Sequence, residues 1–308
     1  MRLLRKLDAR SAASGGYVAA IGGFDGIHLG HRALISRACE LSRNAGQASM
    51  VLSFEPLPKE YFAAGTAPGR LTNFRERWRL LEALGVDLLC LLRFNEALRN
   101  LDGVQFARLL VEGGVRTLVV GHDFRAGYRG EATASWFERE GPGLGLAVEV
   151  LPPVVGGGSR IGSRAIRDAL SAGDLDLAAR LLGRPYSMRG KVISGERLGR
   201  TLGFPTANLR LGRRRTPLDG IFAVRVRGIE PGRALGGVAS LGTRPTVGGT
   251  VPLLEAHVFD YDGNLYGREL EVEFVARLRD ELRFDTLDAM VAQMHRDAAG
   301  ARARLAMA

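Results

Sequence analysis

The pattern of apolar residues changes near residue 184, and this change predicts two domains of different architecture. Up to that point, short apolar runs with the character of buried strands alternate with longer segments in which apolar residues recur at helical spacing. Such alternation is typical of βαβ units built around a parallel sheet. We therefore predict an α/β domain over residues 1–184 and a second domain over residues 185–308. The predicted strands of the first domain cover residues 17–21, 49–54, 87–92, 116–120 and 147–150, and its predicted helices cover 32–44, 73–84 and 103–112, the last capped by Asp102.

The second half of the chain has the pattern of an all-β domain. Two short helices are predicted over residues 163–182, and short strands with alternating polar and apolar residues follow Gly183-Arg184-Pro185. The alternation is strict in Glu269-Leu270-Glu271-Val272-Glu273-Phe274, and Asp262-Gly263-Asn264 predicts a hairpin between the strands that flank it. A closed or nearly closed antiparallel barrel accommodates such strands. The predicted strands cover residues 187–194, 221–227, 237–241, 254–261 and 270–275.

A helix is predicted to end the chain, beginning at about Thr286. We expect the apolar stripe of this helix to pack against the barrel as ordinary core. The stripe consists of Leu287, Met290, Val291 and Met294.

Charge allows one alternative function. The chain has 43 Lys and Arg against 33 Asp and Glu, and its net charge is +10. A basic chain can bind nucleic acid, and a nucleic-acid-binding protein is the alternative that this charge motivates. Nearly all of the basic residues are arginines, however, which indicates a compositional bias more than a binding patch. We expect the run Arg213-Arg214-Arg215, beside a predicted loop, to be solvated.

Cysteine usage and hydropathy indicate the compartment. Cys39 and Cys90 are too few for a disulfide framework and are predicted to be small core residues in a reducing environment. The basic start of the chain is not followed by the apolar region of a signal peptide. The longest apolar runs, such as residues 88–92, are far shorter than a membrane span. We expect a soluble, cytoplasmic protein without a membrane partner.

A glycine-rich turn with two histidines follows the first long predicted strand, in the string from Gly22 to His31. The start of a helix presents unpaired N–H groups and the positive end of the helix dipole, which attract anions. Glycines let the backbone approach a bulky charged ligand, and the histidines add donors. The turn therefore suits a nucleotide triphosphate, although a His-x-x-His pair alone is more often a pair of surface or core histidines. Zinc would need further ligands, and the usual dinucleotide and P-loop glycine patterns are absent from the chain.

A second candidate site is the string Leu202-Gly203-Phe204-Pro205-Thr206-Ala207-Asn208-Leu209. Two residues apart on extended backbone, Thr206 and Asn208 point to the same side. Their hydroxyl and amide oxygens suit a magnesium ion that keeps several waters and bridges to phosphate. Pro205 fixes the entry to this turn, and Gly199 and Gly203 allow close backbone approach. Taken alone, Pro-Thr-x-Asn is more often an ordinary turn with an Asx-type hydrogen bond.

Both strings resemble parts of one family. The string Gly22–His31 resembles the signature of the nucleotidyltransferase superfamily, most closely the amino-terminal module of bacterial bifunctional riboflavin kinase/FAD synthetases. Residues 186–297 resemble the riboflavin kinase module of the same family, so the resemblance covers essentially the whole chain. Besides Pro205–Asn208, the matching strings are Gly190-Lys191-Val192, Gly195 with Gly199-Arg200, Leu241-Gly242-Thr243-Arg244-Pro245-Thr246, Glu255-x-His257, Leu265-Tyr266-Gly267 and Leu278-Arg279-x-Glu281-x-x-Phe284.

For the first domain the resemblance implies a Rossmann-like nucleotidyltransferase fold that transfers AMP from ATP to FMN, giving FAD and pyrophosphate. It implies that His28 and His31 hold the ATP phosphates and stabilise the α-phosphorus as it is attacked. It also implies a nucleotide site formed by Gly22, Phe24, Gly26, Asp123, Arg160, Ser163 and Arg167.

For the second domain the resemblance implies an antiparallel barrel that transfers the γ-phosphate of ATP to riboflavin, giving FMN. Thr206 and Asn208 would hold Mg²⁺ with ATP, and Glu255 would take the proton from the ribityl 5′-hydroxyl. From the residues alone, Glu255 is equally a solvent-facing strand residue. Mg²⁺ is the implied cofactor, ATP the co-substrate, and the flavins substrates and products; no nucleic-acid partner is expected, and the oligomeric state stays open. The implied nucleotide site further includes Gly199 and Phe204, and the implied flavin contact is Arg279, which could otherwise be an exposed ion pair.

One motif departs from the family. Where the family has Arg-Ile-Ser-Ser-Thr-x-Ile-Arg, this chain has Arg160-Ile161-Gly162-Ser163-Arg164-Ala165-Ile166-Arg167, with two hydroxyls fewer and one cation more. Loss of one donor to a transition state costs roughly a hundredfold in rate. The alternative is therefore a riboflavin kinase whose amino-terminal domain is a weak or inactive adenylyltransferase. Smaller departures are Leu57 where histidine is usual, Ala126 where an aromatic residue is usual, and Ser240 where asparagine is common.

Overall fold

The computed structural model describes residues 1–9, 15–63, 65–156, 159–195, 202–246 and 249–307. The chain forms two compact units, Met1–Ala67 with Arg77–Ile161 and Pro68–Glu76 with Gly162–Ala308. The two short helices before residue 184 belong to the second unit, and the domain boundary at residue 184 stays a prediction. In the ranges given above, no helix has both the length and the apolar character that crossing a membrane requires.

A six-stranded parallel sheet forms the first unit, as the alternation of strands and helices predicts. The strands of this unit are β1 (Arg2–Leu4), β2 (Tyr17–Ile21), β3 (Ala48–Glu55), β4 (Leu88–Arg93), β5 (Val115–Gly121), β6 (Arg125–Ala126), β7 (Ala132–Thr133), β8 (Ala147–Leu151), β9 (Val155–Gly156) and β10 (Ser159–Arg160). The sheet order is β1-β4-β3-β2-β5-β8, and the short pairs β6-β7 and β9-β10 are antiparallel.

Helices connect the strands of this sheet. They are α1 (Leu29–Asn44), α2 (Pro58–Phe62), α3 (Phe74–Ala83), α4 (Glu96–Arg99), α5 (Gly103–Glu112) and α6 (Ala134–Glu140), with short 3-10 turns at Tyr128–Gly130 and Pro142–Leu144. Asp102 caps α5 as predicted: its carboxylate accepts from the Gln105 N–H at 2.7 Å, and the Gln105 side chain accepts from the Asp102 N–H at 3.0 Å.

The core of the first unit lies along the central strands. Every residue of β2 is buried, because helices cover both faces of a parallel sheet. Both cysteines are buried as predicted. Burial raises the pKa of the Cys90 thiol to about 12, so this group is an inert part of the core.

Several elements of the first unit differ from the prediction, which did not include the short helices α2, α4 and α6 or the short strands β6, β7, β9 and β10. The edge strand β1 beside β4 was not predicted, because three residues are too few to show a period. Helix α1 begins at Leu29, three residues before the predicted start, because its cap is His28. Histidine is not among the residues whose side chains usually cap helices, so the sequence carries no ordinary start signal there.

The second unit contains two helices, a closed antiparallel barrel and a terminal helix. Its elements are α7 (Ser163–Ser171), α8 (Leu175–Leu182), β11 (Ser187–Ile193), β12 (Ala207–Arg210), β13 (Gly220–Glu230), β14 (Arg233–Thr246), β15 (Gly249–Val258), β16 (Glu269–Arg279) and α9 (Leu287–Met307). The barrel order is β11-β12-β15-β14-β13-β16. The predicted barrel, the two short helices and the terminal helix are confirmed.

The predicted hairpin at Asp262-Gly263-Asn264 is wrong. The strands that flank it, β15 and β16, are not neighbours in the barrel: β15 pairs with β12 and β14, and β16 pairs with β11 and β13. The Asn264 side chain does accept from the Tyr266 N–H at 2.9 Å, so the string makes a local turn. A turn signal reports local backbone conformation, and the strand pairing is decided by barrel closure.

The apolar stripe of α9 is not ordinary core. Leu287 is 52% exposed, and Met290 and Met294 line a cavity. The helix packs on the barrel through Ala301, which is fully buried against Ala223 and Phe259. The helix therefore has one contact face toward the barrel and another toward the cavity.

The expectation that Arg213 is solvated is also wrong. Its guanidinium is buried, forms an ion pair with the buried Glu76 and donates to the carbonyls of Arg70 and Leu71. Glu76 also accepts from the Arg189 N–H at 2.7 Å. Burial raises the pKa of Glu76 against the opposing effect of Arg213. A basic run thus contains one arginine with a structural role inside the second unit.

Candidate active sites

The glycine-rich turn between β2 and α1 has an unusual backbone. Phe24 and Ile27 adopt positive φ angles of 45° and 42°, and Gly26 has φ 91°. Non-glycine residues with positive φ are strained, and such strain is concentrated at functional sites. The Phe24 and Ile27 side chains are almost fully buried, which holds the strained turn in place. The N–H of Gly22 donates to Leu52 at 3.1 Å and continues the register of the sheet into the turn.

His28 and His31 meet at the start of α1, as predicted. The Nδ1 atom of His28 accepts from the His31 backbone N–H at 3.2 Å, and the two rings stack with centroids 3.6 Å apart. Because Nδ1 of His28 accepts, the neutral ring carries its proton on Nε2. A Cβ at Gly30 would lie 3.2 Å from the His28 ring, so glycine provides the space for this stack.

The His31 ring is neutral at pH 7. Burial, and then the neighbouring His28, hold its pKa well below the usual value. The Phe24 ring meets it edge-on, with centroids 5.1 Å apart. The buried Nδ1 atom of His31 has no hydrogen-bond partner within the described part of the chain. As neutral rings, His28 and His31 can donate N–H groups to an anion without placing two positive charges in contact.

A buried arginine lies beneath the turn, and the sequence analysis missed it. Arg77, 1% exposed, donates to the carbonyl of Gly23 at 3.2 Å and lies 3.5 Å from carboxylate oxygen of Glu55. A charged residue in a helical pattern is normally solvated, and no local signal distinguishes this one. Its hydrogen bond fixes one carbonyl of the glycine-rich turn.

Asp123 and Arg160, both among the residues that the resemblance implies for the nucleotide site, form an ion pair in the first unit. Their side chains are joined at 2.6 Å and are about half exposed. Partial burial acts to raise the pKa of the Asp123 carboxyl, but the hydrogen bond and charge of Arg160 outweigh it, and the net pKa lies below the usual value. The carboxylate is therefore ionised near neutral pH.

Ser163 and Arg167 lie at the start of α7 in the second unit. Gly162 occupies the cap position and provides no side-chain cap. Arg167 donates to the carbonyls of Gly69 at 2.7 Å and Ser163 at 3.3 Å. The side chain of Arg164 is 92% exposed and lies 3.9 Å from Asp168.

A cavity of about 540 Å³ in the second unit brings together the other predicted residues. Its lining comes from the segment before β12, from β12 to β16, from the loop after β16 and from α9. The lining residues include Phe204, Thr206, Asn208, Ser240, Glu255, His257, Arg279, Glu281, Phe284, Met290, Met294 and Asp297.

The centre of the cavity wall is the pairing of β12 with β15. Asn208 lies opposite Glu255 in this pair, and Ser240 lies opposite Glu255 on the other side. Asn208 is buried, and a Cβ at Gly195 would lie 2.6 Å from its carboxamide nitrogen. The side chain of Asn208 is thus seated against a glycine backbone, beside the half-buried Thr206. In the portion described, no group of three His, Cys, Asp or Glu residues is arranged to hold a metal ion.

Arg279 is not the exposed ion pair considered as an alternative. It makes a bidentate contact with the buried Asp297 of α9, with its Nη2 2.6 Å from Oδ2. Gln293 donates to the same carboxylate at 2.8 Å. Glu281 accepts from the Ser240 hydroxyl at 3.1 Å and lies against Gly242. The end of β16 is therefore tied to α9, and the loop that follows it is tied to β14.

Two family models match the chain. The model described as FAD synthetase matches residues 10–165, and that described as riboflavin kinase matches residues 182–305. The bifunctional riboflavin kinase/FMN adenylyltransferase of Pseudomonas fluorescens is 43% identical over 306 residues, covering 98% of this chain and 97% of the relative. The Escherichia coli K12 relative of the same name is 42% identical over 305 residues, with the same coverage. The chain belongs to the bifunctional riboflavin kinase/FMN adenylyltransferase family.

A solved structure shares the fold of this family member over nearly its whole length. It is a Streptococcus pneumoniae chain named macrolide-efflux protein, with a TM-score of 0.80 and 30% identity, covering 96% of this chain and 97% of that one. Efflux belongs to the name of that protein and is not carried over to this chain.

The structure of this riboflavin kinase/FMN adenylyltransferase family member places most predicted residues in two groups. Gly22, Phe24, Gly26, His28 and His31 share the turn, and Phe204, Thr206, Asn208, Glu255 and Arg279 line the cavity. Gly199 lies outside the described residues. The polar cavity residues without a predicted role include Ser240, His257, Glu281 and Asp297, and Asp297 lies outside the strings compared with the family module.

Proposed function

We propose that this chain catalyses two consecutive reactions, phosphorylation of riboflavin to FMN and adenylylation of FMN to FAD. The observation that carries the proposal is the cavity in which Thr206, Asn208 and Glu255 meet in a chain related over its full length to bifunctional enzymes. Riboflavin, FMN and ATP are the substrates. The two reactions are assigned to the barrel and to the glycine-rich turn.

In the kinase reaction Glu255 acts as the base. Its carboxylate takes the proton of the ribityl 5′-hydroxyl, the hydroxyl oxygen forms a bond to the γ-phosphorus of ATP, and the bond to ADP breaks. The hydroxyl of Thr206 and the buried amide oxygen of Asn208 are hard donors that fit Mg²⁺. Mg²⁺ held by these two residues would neutralise phosphate charge. Arg279, fixed by Asp297, is assigned to the flavin side of the cavity, and Phe204 and Gly199 to the nucleotide side.

In the adenylyltransferase reaction no general base is needed. A phosphate oxygen of FMN, already ionised near neutral pH, attacks the α-phosphorus of ATP, and the bond to pyrophosphate breaks. His28 and His31 stabilise the developing charge as neutral N–H donors. The low pKa of His31 and the acceptor role of His28 Nδ1 support neutral rings.

The remaining residues of the adenylyltransferase reaction are assigned to nucleotide binding. The backbone of the turn approaches the nucleotide at its glycines. A cation such as Arg160 suits the pyrophosphate part of ATP. The residues assigned to this role are Gly22, Phe24, Gly26, Asp123, Arg160, Ser163 and Arg167.

A riboflavin kinase with a weak adenylyltransferase is the second candidate function. It is favoured by the start of α7, where Gly162 gives no side-chain cap and Arg164 extends into solvent. Incubation of the protein with FMN and Mg-ATP decides between the two, because the second candidate forms little or no FAD.

The division of labour is tested with two reciprocal variants. His28→Ala should lower FAD formation from FMN at least about a hundredfold and leave FMN formation from riboflavin intact. Glu255→Gln should lower FMN formation by about a hundredfold or more and leave FAD formation from supplied FMN intact. Both rates are followed by chromatography of the flavins. Equal loss of both activities in either variant refutes the assignment.

Binding to nucleic acid has only the net charge of +10 in its favour. A gel shift at moderate salt tests it, since such binding would be tight and strongly salt-dependent. The cytoplasmic location stays a prediction.

A further inference from the structure

His257 contacts the segment that precedes the proposed metal ligands. It lies on β15 two residues after Glu255, and its side chain lines the same cavity. Its Nδ1 atom is 2.9 Å from the carbonyl oxygen of Pro205. Its ring also meets the Phe204 ring edge-on, with centroids 5.1 Å apart. One side chain therefore contacts both residues immediately before Thr206.

The direction of this hydrogen bond follows from its partner. A carbonyl oxygen only accepts, so Nδ1 of His257 carries the hydrogen, in the neutral ring as in the charged one. Within a neutral ring Nε2 is then an acceptor.

The segment needs such a contact because the barrel ladder does not hold it. Strand β12 begins at Ala207, whose ladder partner in β15 is Ala256. Pro205 has no N–H group, so its carbonyl is the only backbone hydrogen-bonding group that it can offer. The position of Thr206 relative to Asn208 is then set by the ladder on one side and by the Pro205 carbonyl on the other.

We propose that His257 is a positioning residue of the kinase reaction: through Nδ1–H it fixes the Pro205 carbonyl and so holds Thr206 where it binds Mg-ATP. This inference rests on the proposed riboflavin kinase activity. Misplacement of a positioned group by about 1 Å can cost a hundredfold in rate, so one hydrogen bond at this place is enough to matter.

The test compares three substitutions of His257 in the full chain. In His257→Asn the amide nitrogen is attached to Cγ, as Nδ1 is, and can still donate to Pro205. In His257→Gln the nitrogen lies one bond further out, as Nε2 does, and His257→Leu has no donor. The matched control is His295→Leu, because His295 also meets the Phe204 ring, with centroids 4.8 Å apart, from α9. FAD formation from supplied FMN controls for the amount of folded first unit in every sample.

We expect His257→Leu and His257→Gln to lower kcat/KM for Mg-ATP in FMN formation by about 10-fold to 100-fold. We expect them also to raise the Mg²⁺ concentration at half-maximal rate, while the KM for riboflavin changes less than about twofold. His257→Asn should stay within about threefold of the unaltered protein, as should His295→Leu. A purely structural role would lower the amount of active protein without moving the Mg²⁺ dependence.

Three results overturn the inference: an unchanged His257→Leu variant, activity kept in His257→Gln but lost in His257→Asn, or equal loss in all three with no change in Mg²⁺ dependence. The second of these would mean that Nε2 acts on the substrate. If the unaltered protein makes no FMN from riboflavin and Mg-ATP, the proposed function fails instead, and the two failures are thereby distinguished.

Discussion

The glycine-rich turn and the barrel cavity are both assigned to ATP, but they are built in opposite ways. The turn is one continuous string, Gly22–His31, in which strained backbone leads directly into a helix start. The cavity takes single side chains from the segment before β12, from five strands, from a loop and from a helix. Under the proposed function, the turn would bind polyphosphate through backbone N–H groups set by local sequence, and the cavity would bind it through Mg²⁺ held by side-chain oxygens set by long-range pairing.

The two sites share one structural feature: a side chain packs directly against a glycine, where a larger residue would clash with it. At the turn the His28 ring lies over Gly30, and in the cavity the Asn208 carboxamide lies over Gly195. At the turn, Gly30 and His28 are two residues apart at the start of one helix. In the cavity, the two residues are brought together by the pairing of β11 with β12, in which Ile193 lies opposite Asn208, so only the fold of the barrel joins them.

The largest expected effect concerns the buried ion pair of the second unit. Arg213→Met leaves the Glu76 carboxylate buried without its cation, and we expect a loss of about 3–5 kcal/mol in the unfolding free energy of this unit. The urea concentration at which half of the FMN-forming activity is lost should fall, and the corresponding midpoint for FAD formation should fall less. Arg214→Met, at the exposed neighbouring position, is the control. An unchanged inactivation midpoint for FMN formation would contradict the role of the Arg213–Glu76 ion pair in stabilising the unit that contains the cavity.

The two glycines that contact site side chains, Gly30 and Gly195, allow a direct comparison of the sites. A Cβ at Gly30 would lie 3.2 Å from the His28 ring, and one at Gly195 would lie 2.6 Å from the Asn208 carboxamide. We expect Gly30→Ala to lower FAD formation, and Gly195→Ala to lower FMN formation, each by about 10-fold to 100-fold. Steady-state rates of both reactions check this. Gly143→Ala, whose Cβ would meet nothing within 4 Å, should change neither rate. An effect of Gly195→Ala on FAD formation alone would reverse the assignment.

The departure at the start of α7 can be tested by restoring hydroxyls. The double variant Gly162→Ser with Arg164→Thr should raise kcat for FAD formation by about tenfold, because each restored donor can stabilise the transition state. FMN formation should not change. A double variant that forms FAD no faster than the unaltered protein would show that the present residues already suffice.

The smallest effect is a pH dependence of stability at the turn. The folded-state pKa of His31 lies well below its value of 6.5 in the unfolded chain, because burial disfavours the charged ring. The unfolded chain therefore binds the extra proton, and stability that is present above pH 6.5 is lost as the pH falls below it, by at most about 1.4 kcal/mol per pH unit. The difference in unfolding free energy between the unaltered protein and His31→Gln, measured by urea denaturation from pH 7.5 to 5, should shrink in this direction. A difference that stays constant over the range would contradict a neutral buried ring.

Much of the fold was predictable because it depends on local periodicity. The five longer strands of the parallel sheet, helices α1, α3 and α5, the antiparallel barrel and the terminal helix follow from the spacing of apolar residues, and the Asp102 cap follows from an aspartate placed just before a helical run. The errors lie where local signals end. Three residues of β1 show no period, His28 is an uncommon cap, and Asp262-Gly263-Asn264 forms a turn without joining adjacent strands.

The residues of the glycine-rich turn could be recognised from the sequence, because its glycines and histidines are neighbours along the chain. The burial of Arg213 with Glu76, the hydrogen bond from Arg77 to the Gly23 carbonyl and the ion pair of Arg279 with Asp297 arise from tertiary packing. The local sequence around an arginine does not show whether its side chain is solvated or buried. Its environment depends on residues far away along the chain, which meet it only when the sheet or the barrel has formed.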